Sequence, residues 1–311
     1  MKKTIIIAML FVILVAAGAN ALQITSATIG GENQDRVANV STTVTVTNDG
    51  TSDLSSIAMS FAGDSRYNIR FEPSSFDLNA GATQTVTVYG DIPVDFDAVI
   101  KQTSNSDFLD ATPFNIGTMK AAAGSVEATS DLSMQAVNQL FIKKVTAVCG
   151  DESERLDDGE TFEELSPDMA CSITVEIENT FDDDDRDDLK IGDIDFDPAY
   201  IEVESMDNEL DLDEDDDLDM DPDEEDELTF EFDIEEDTEE GDYDVEVRAY
   251  GTDENNAFHG EMWTVEFEIE RLKHDIKIKQ ASISPVQMDN CQDRKVNVDA
   301  TLLNLGKRDE E

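Results

Sequence analysis

The sequence predicts an all-β protein built from tandem antiparallel β-sandwich domains that follow an N-terminal signal peptide. Three observations lead to this prediction. Apolar and polar residues alternate in short segments, as they do in strands with one buried and one solvated face. One strand pattern recurs along the chain, and turn residues separate the strands at spacings typical of sandwiches. Helical apolar periodicity is almost absent.

The first 21 residues have the composition of a secretory signal peptide. Lys2 and Lys3 precede an apolar run over residues 5–17, and a small-x-small sequence ends at Ala21. We expect cleavage there, so that the mature chain begins at Leu22. An uncleaved anchor is the alternative, although the apolar run is short for a membrane span. The predicted location is extracellular, at the cell surface.

One strand pattern occurs in three copies, each of which closes on an asparagine, a residue that suits a turn because its side chain bonds nearby backbone. An upstream strand precedes each copy, and a matching apolar strand follows the first two. The closing residues are Asn48, Asn179 and Asn304. The alternating positions are Val40, Thr42, Val44 and Val46, then Cys171, Ile173, Val175 and Ile177, then Val296, Val298, Ala300 and Leu302.

The copies divide the chain into domains. We predict a first sandwich over residues 22–120, a second over 138–272, and the start of a third over 274–311. Residues 121–137 are small and polar, which predicts a linker or a short helix. The third copy has only two strands, too few to be stable alone, so we expect the natural protein to continue.

A family resemblance rests on residues of the first copy: Val44-x-Val46-x-Asn48-x-Gly50, Pro73, Leu78-x-x-Gly81, Val86-x-Val88 and Ile92-Pro93. Together they resemble the Ig-like modules of archaeal and bacterial surface proteins. They are similar to CARDB-type cell-adhesion-related domains and to the β-sandwich domain associated with bacterial galactosidases. Strings of such modules after a signal peptide resemble S-layer proteins of small-genome archaea. The resemblance implies Ig-like domains and no catalytic residues.

The composition excludes several classes of function. The formal net charge is −53, with 74 acidic and 21 basic residues, which argues against nucleic acid as a partner. Residues 151–270 hold 53 acidic and 4 basic side chains, so one module carries most of the charge. With three cysteines and two histidines, few catalytic or zinc sites are possible. We expect no enzyme and no small-molecule substrate, and we expect His259 and His274 at the surface.

Two covalent features are predicted in an exported chain. Cys149 and Cys171 flank a polar loop, and a disulfide that closes this loop would contribute about 3 kcal/mol. Two free buried thiols are the alternative. The partner of Cys291 stays open, and a cysteine beyond Glu311 is one candidate. Asn39 begins an Asn-Val-Ser sequon and is a candidate glycosylation site.

The acidic runs are the candidate metal sites. Alternate residues of a strand share a face about 7 Å apart, so the acidic ladder repels itself by about 0.6 kcal/mol per pair even in water. Cations must screen or bind it, and calcium suits clustered oxygen ligands. Discrete calcium sites and diffuse screening both remain open, and an EF-hand-like spacing is weakened by Leu218, where that loop needs glycine. The candidate ligands are Asp182, Asp183, Asp184, Asp185, Asp213, Asp215, Asp217, Asp219, Asp221 and Glu224.

The function expected from these observations is structural. An exported chain of Ig-like sandwiches would form part of an S-layer or a similar envelope coat, assembled from copies of itself or with other envelope proteins in a cation-dependent way. The alternative is a binding module, either an adhesin or the accessory region of a larger secreted protein.

Overall fold

The computed structural model describes residues 22–102, 108–183, 192–206, 210–284 and 296–307. Nearly all of the regular structure in these ranges is β-strand, and one short 3-10 turn occurs at Ser65–Tyr67. The all-β prediction is therefore confirmed. In the described ranges, no helix has the length and apolar character that a membrane span requires. The predicted signal peptide, residues 1–21, and Cys291 lie outside the described residues.

The first compact unit is a sandwich formed by residues 22–93 together with Pro113–Ala136. Sheet A has the strand order β1-β3-β7-β5, and sheet B has the order β2-β9-β8-β4-β6. The strands are β1 (Leu22–Ile24), β2 (Ala27–Gly30), β3 (Val40–Asn48), β4 (Leu54–Gly63), β5 (Arg70–Glu72), β6 (Ser75–Leu78), β7 (Thr83–Gly90), β8 (Phe114–Ala123) and β9 (Val126–Gln135).

The second compact unit comprises Val94–Thr112 and the chain from Val137 onward. Its sandwich consists of sheet C, in the order β11-β10-β13-β16, and sheet D, in the order β12-β18-β17-β14-β15. A two-stranded hairpin, β19-β20, follows. The strands are β10 (Leu140–Cys149), β11 (Glu152–Leu156), β12 (Thr161–Leu165), β13 (Met169–Asn179), β14 (Phe196–Ser205), β15 (Asp213–Met220), β16 (Glu225–Ile234), β17 (Gly241–Asp253), β18 (Phe258–Ile269), β19 (Ile276–Ser284) and β20 (Asn297–Asn304).

The two sandwiches share one topology. Sheet D repeats the strand order of sheet B, including a parallel first pair, which is β2-β9 in one unit and β12-β18 in the other. In sheets A and C, the series β1-β3-β7 corresponds to β10-β13-β16. The units differ in one edge strand, because β5 pairs with β7 whereas β11 pairs with β10. The repeat seen in the sequence is thus a repeat of architecture.

The strand register is also conserved between copies. The residue that starts the upstream strand pairs with the closing asparagine in all three copies: Leu22 with Asn48, Leu140 with Asn179, and Ile276 with Asn304. Each asparagine is preceded by apolar residues at alternate positions, and in the first two copies these residues face the core. Because a slip of one residue would turn that apolar face outward, the pattern itself fixes the register.

The closing asparagines of the first two copies join the two sheets of their sandwiches. Asn48 is fully buried; its Nδ2 donates to the carbonyls of Ser52 (2.9 Å) and Leu78 (3.1 Å), and its Oδ1 accepts from Gly50 N (3.1 Å). The carbonyl of Leu78 lies at the end of β6, in the opposite sheet. Asn48 therefore satisfies backbone groups that would otherwise be buried without partners.

Asn179 makes the equivalent bonds in the second unit and is also fully buried. Its Nδ2 donates to the carbonyls of Ile194 and Asp221, both at 3.0 Å, and its Oδ1 accepts from Phe181 N at 3.1 Å. Asp221 directly follows β15, the counterpart of β6. In the third copy, Asn304 Oδ1 accepts from Gly306 N at 3.1 Å, so the local turn is preserved there too.

The prediction of a linker over residues 121–137 was wrong. These residues include the end of β8 and all of β9, which complete sheet B. A two-residue turn at Gly124 and Ser125 joins the strands, and Gly124 supplies the positive φ of 62° that this turn needs. Leu132 and Met134 of β9 are fully buried. Three consecutive alanines at the end of β8 and polar residues in the first half of β9 gave this segment the composition of a linker.

The predicted disulfide is present. Cys149 ends β10 and Cys171 lies directly opposite on β13, with the two Cα atoms 4.1 Å apart and the sulfurs bonded. The bond closes the loop that contains β11 of sheet C and β12 of sheet D. Both cysteines belong to the core of the second unit, where Cys149 is fully buried.

We predict that Asn179→Ala destabilises the second unit by about 2–4 kcal/mol. The substitution removes the side-chain hydrogen bonds of Asn179 and leaves the buried Ile194 carbonyl and Phe181 N–H without these partners, each at a cost of about 1–3 kcal/mol before relaxation. Urea unfolding followed by the fluorescence of Trp263 measures the change, since Trp263 packs against the core of this unit.

Ser172→Ala is the matched control, because Ser172 lies on the same strand but is only half buried. We expect it to change the free energy of unfolding by less than about 0.5 kcal/mol. An Asn179→Ala protein as stable as the control would contradict the structural role of this asparagine.

Candidate functional site

The longest acidic run forms the edge strand of sheet D. β15 contains Asp213–Met220 and pairs only with β14 among the strands of this sheet. In an extended strand, successive side chains point to opposite faces, and alternate ones lie about 7 Å apart along one face. Most of the EF-hand-like positions therefore lie along a strand, where their carboxylate oxygens do not converge as they would in a metal-binding loop.

The outer face of sheet D brings acidic side chains of β15 and β14 side by side. Asp213 lies directly opposite Glu204, and Asp215 lies directly opposite Glu202. Side chains in such pairs are about 5 Å apart at Cβ, and like charges at this spacing are destabilising. This surface, which we call the carboxylate face, consists of Asp213, Asp215, Glu202, Glu204 and Glu246.

One arginine lies within the carboxylate face. Arg248 on β17 donates from Nη1 to Glu204 Oε2 at 2.9 Å, lies 3.5 Å from Glu202 Oε2, and bonds Glu246 through Nη2. Burial lowers the pKa of Arg248, but the hydrogen bonds and charges of Glu204 and Glu246 have the larger combined effect. The pKa of Arg248 is therefore raised. The guanidinium stays charged and offsets part of the repulsion among three carboxylates.

An aromatic pair borders the carboxylate face. Tyr250 donates its hydroxyl to Glu202, and its ring stacks on Tyr200 with centroids 5.5 Å apart. Burial, followed by the bond to Glu202, raises the pKa of Tyr250. Tyr250 therefore remains a neutral donor at physiological pH.

A second acidic group lies at the end of β15, where Asn179 donates to the carbonyl of Asp221. Asp219 shares a side-chain hydrogen bond with Asp197, and this bond, followed by the charge of Asp197, raises the pKa of Asp219. The pKa of Asp195 is raised by partial burial and then by the charge of Asp221. We call this group the acidic corner; its members are Asp193, Asp195, Asp197, Asp219, Asp221 and Glu224.

The structure separates the predicted calcium ligands. Asp219, Asp221 and Glu224 lie at the acidic corner, where Asp221 N donates to Glu224 Oε2 at 2.6 Å. Asp213, Asp215 and Asp217 follow β15 instead. Asp182 and Asp183 are described but belong to neither group, and Asp184 and Asp185 lie outside the described residues. Among the described residues, no three acidic, histidine or cysteine side chains are arranged to hold a metal ion.

His259 is buried, so the prediction of a surface position was wrong for this residue. Its Nδ1 accepts from Gln139 N at 3.0 Å, and its Nε2 lies 3.3 Å from Asp253 Oδ2. Because Nδ1 accepts, Nε2 carries the hydrogen and donates a hydrogen bond to Asp253 Oδ2. Phe181 and Phe196 contact the ring edge-on. His274 is exposed, as predicted.

The sequon asparagine lies at the surface. Asn39 is exposed, adopts a left-handed backbone with φ of 65°, and immediately precedes β3. Its Oδ1 accepts from Arg70 Nη2 at 2.7 Å, and its backbone N donates to Asp91 Oδ1 at 2.7 Å. Glycosylation of Asn39 stays a prediction.

Several residues of the two acidic groups were not predicted. Asp193, Asp195 and Asp197 occupy every second position before and into β14, the same spacing that identified the run on β15. That signal was therefore available in the sequence. Glu202, Glu204 and Arg248 could be assigned only from strand pairing, since β14, β15 and β17 are distant in sequence.

Comparisons with known proteins do not assign the chain to a family. No family model matches the chain, and no curated protein matches it. Among solved structures, it is similar to red sea bream transglutaminase, with a TM-score of 0.39, 9% identity, and coverage of 78% of this chain and 31% of that one. It is also similar to a protein of unknown function from Porphyromonas gingivalis W83, with a TM-score of 0.31, 11% identity, and coverage of 79% and 99%. The chain spans about a third of the transglutaminase, and TM-scores this low support no inference about function.

We predict that acidification from pH 7 to about pH 5 raises the melting temperature at low ionic strength. The pKa values of Asp195 and Asp219 are raised by folding, so the folded state binds protons more tightly than the unfolded chain. Stability is therefore gained as pH falls through the raised pKa values, down to the unfolded value near 4. Thermal unfolding followed by Trp263 fluorescence measures this.

Asp219→Asn tests the origin of the effect. It removes one member of the hydrogen-bonded pair with Asp197, so it should raise the melting temperature at pH 7 and reduce the gain on acidification. Asp151→Asn removes the same charge from an exposed turn and should leave the gain unchanged. A wild-type melting temperature that falls steadily from pH 7 to 5 would contradict the prediction.

Proposed function

We propose that this chain is an exported, non-enzymatic structural protein of the cell surface, part of an S-layer or a similar envelope coat. The observation that supports the proposal most is the repetition of one sandwich in the same topology and register, followed by the two strands of a third copy. Repeated rigid domains provide length and spacing, which a coat requires, without a reaction site.

The carboxylate face and the acidic corner are the surfaces through which cations would act. Two copies of a module with 53 acidic and 4 basic residues repel each other unless cations lie between them. Paired carboxylates such as Asp215 and Glu202 offer two ligands from one copy, and a second copy would complete the oxygen shell that calcium prefers. In this proposal, calcium links neighbouring copies or other acidic envelope proteins.

The chemistry of the buried Asp253–His259 pair fits a structural role. His259 is fully buried and Asp253 is 4% exposed, so a substrate could not reach them without unfolding of the sandwich. Both nitrogens of the ring are engaged, one by Gln139 N and the other by Asp253. This arrangement supports the proposal that the chain is not an enzyme.

We predict that EDTA lowers the melting temperature of the mature chain and that calcium restores it at constant ionic strength. Arg248→Gln should lower stability by about 1–3 kcal/mol, because three carboxylates lose their shared cation. Calcium should then stabilise this variant more than the wild type. Thermal unfolding in matched calcium and sodium solutions measures both effects.

Arg155→Gln is the control, because Arg155 is 61% exposed at the side chain and lies 3.8 Å from one carboxylate, Asp157. It should unfold as the wild type does. If sodium restores stability as well as calcium does, the cations only screen the acidic surfaces, and the proposed bridging is wrong.

We also predict that labelled protein forms a continuous layer on the producing cells and is released by EDTA. Fluorescence imaging of intact cells, with and without chelator, measures this. A product recovered entirely from the medium would contradict the coat and would favour the alternative, an accessory region of a secreted protein. Patches at sites of attachment to other cells would favour an adhesin.

A further inference from the structure

A hydroxyl and a side-chain amide meet at one end of the central strand pair of the second unit. Gln139 immediately precedes β10 and Thr180 immediately follows β13, and the ladder continues between them, since Thr180 N donates to Gln139 O at 2.9 Å. The hydroxyl of Thr180 donates to Oε1 of Gln139, and its oxygen lies 3.2 Å from Gln139 O. Because Oε1 is bonded to Cδ, the hydroxyl oxygen lies beside the carbon of the side-chain amide.

The backbone of Gln139 is held on both sides. Its carbonyl accepts from Thr180 N, and its N–H donates to Nδ1 of His259 at 3.0 Å. His259 is fully buried, and its Nε2 donates to Asp253, whose other oxygen accepts from Ala257 N at 2.8 Å. The ring cannot turn without leaving buried polar groups unpaired, so it fixes the point from which the Gln139 side chain extends.

The same two strands are already joined covalently at their other end. The disulfide between Cys149 and Cys171 links β10 to β13. Gln139 and Thr180 form the rung at the far end of this pair, next to Asn179. A covalent bond at this rung would therefore close a ring that contains both central strands of sheet C.

The pairing of a hydroxyl with an amide belongs to the second copy. The corresponding positions, directly before the upstream strand and directly after the closing asparagine, are Ala21 and Asp49 in the first copy and Asp275 and Leu305 in the third. Neither combination contains a hydroxyl or a side-chain amide. The first unit also contains no histidine in its sequence, so the hydroxyl–amide pair and the buried Asp–His pair occur together in one module.

We propose that Thr180 and Gln139 form an ester cross-link within the folded second unit. Thr180 Oγ1 forms a bond with Gln139 Cδ, the bond between Cδ and Nε2 breaks, and the hydroxyl hydrogen leaves with the nitrogen as ammonia. The step needs no oxidant, reductant or outside reactant. It also needs no bound substrate, so it agrees with a chain that is not an enzyme.

The fixed geometry compensates for the weak nucleophilicity of a threonine hydroxyl. Groups held in contact within one molecule react as if one of them were present at about 10⁵–10⁸ M. The reaction happens once in the lifetime of each chain, so a rate far below that of an enzyme is sufficient. Ammonia diffuses away and takes up a proton at neutral pH, which removes the product, and the half-buried position of both residues limits access of water to the ester.

The cross-link changes what is required to unfold the second unit. With the disulfide at one end and the ester at the other, β10 and β13 separate only when a covalent bond breaks. This inference concerns the second unit alone and goes beyond the proposed coat function, because it applies equally to a module of any other exported protein.

Mass spectrometry of the mature chain after reduction of the disulfide tests the proposal. Ester formation removes one ammonia, a loss of about 17 Da. After digestion with trypsin, the peptides 121–143 and 156–186, which contain Gln139 and Thr180, should be recovered joined and with this loss. Hydroxylamine, which cleaves esters, should separate them.

Two variants remove one partner each. Thr180→Val removes the hydroxyl and Gln139→Met removes the amide, both with little change in size, so their peptides should be recovered separately. Thr174→Val is the matched control, because Thr174 lies on the same strand and its hydroxyl bonds that of Thr229 at 2.8 Å instead of an amide. It should form the cross-link as the wild type does. Trp263 fluorescence checks that each variant is folded.

His259 is a positioning residue in this proposal, since it acts through the backbone of Gln139. In His259→Asn, Oδ1 takes the place of Nδ1 as the acceptor for Gln139 N, whereas His259→Leu offers no acceptor. Both variants lose the bond to Asp253, so the rate of cross-linking in the folded state separates positioning from stability. We expect the leucine variant to be slower than the asparagine variant by about tenfold.

Separate peptides from a folded wild type after prolonged incubation at neutral pH would overturn the proposal. A cross-link that persists in Thr180→Val, or that is lost in Thr174→Val, would also overturn it, because the loss of ammonia would then arise elsewhere or depend on any change in β13. Equal rates in the two His259 variants would refute the positioning role.

Discussion

The fold of both sandwiches depends on one buried amide at the end of the central strand. The side-chain oxygens of Asn48 and Asn179 accept from the backbone N–H two residues ahead. Their side-chain nitrogens donate to a carbonyl at the end of the edge strand in the opposite sheet. The carbonyl of Leu78 at that point is buried, so a side-chain donor satisfies a group that water does not reach. The position of both sheets is thereby tied to one residue, and the alternating apolar positions before it follow in register.

The same corner also carries repulsion among carboxylates, which raises the pKa values of Asp195 and Asp219 together with burial and a hydrogen bond between side chains. Asn179 donates a hydrogen bond to the carbonyl of Asp221. The carboxylate of the same residue repels that of Asp195 in the acidic corner. On β15, Glu214 and Asp216 occupy the inward-facing positions opposite Val203 and Ile201. Charges at the inward positions of an edge strand prevent a further strand from pairing there. The acidic composition thus protects the sheet edge while it limits stability.

Local patterns in the sequence predicted much of this fold, and long-range pairing determined the rest. Alternation identified β3, β13 and β20, because one buried face imposes a period of two. The β8-β9 pair escaped because Ala121 and its neighbours have weak strand preference, and only sheet B makes them a strand. His259 was misplaced since a single residue carries no periodicity. The carboxylate face could not be assembled from sequence, because Arg248 meets Glu202 and Glu204 only through strand pairing.

The segment Val94–Thr112 lies between β7 and β8 in sequence but belongs to the second unit, where Phe108 packs on Phe258. Synthesis proceeds from the N-terminus, so this segment appears about 150 residues before its partner. It must remain unpaired while β8 and β9 complete the first sandwich without it. The order of synthesis therefore does not match the order of assembly, and the two sandwiches cannot be exchanged, deleted or duplicated at a single cut in the gene.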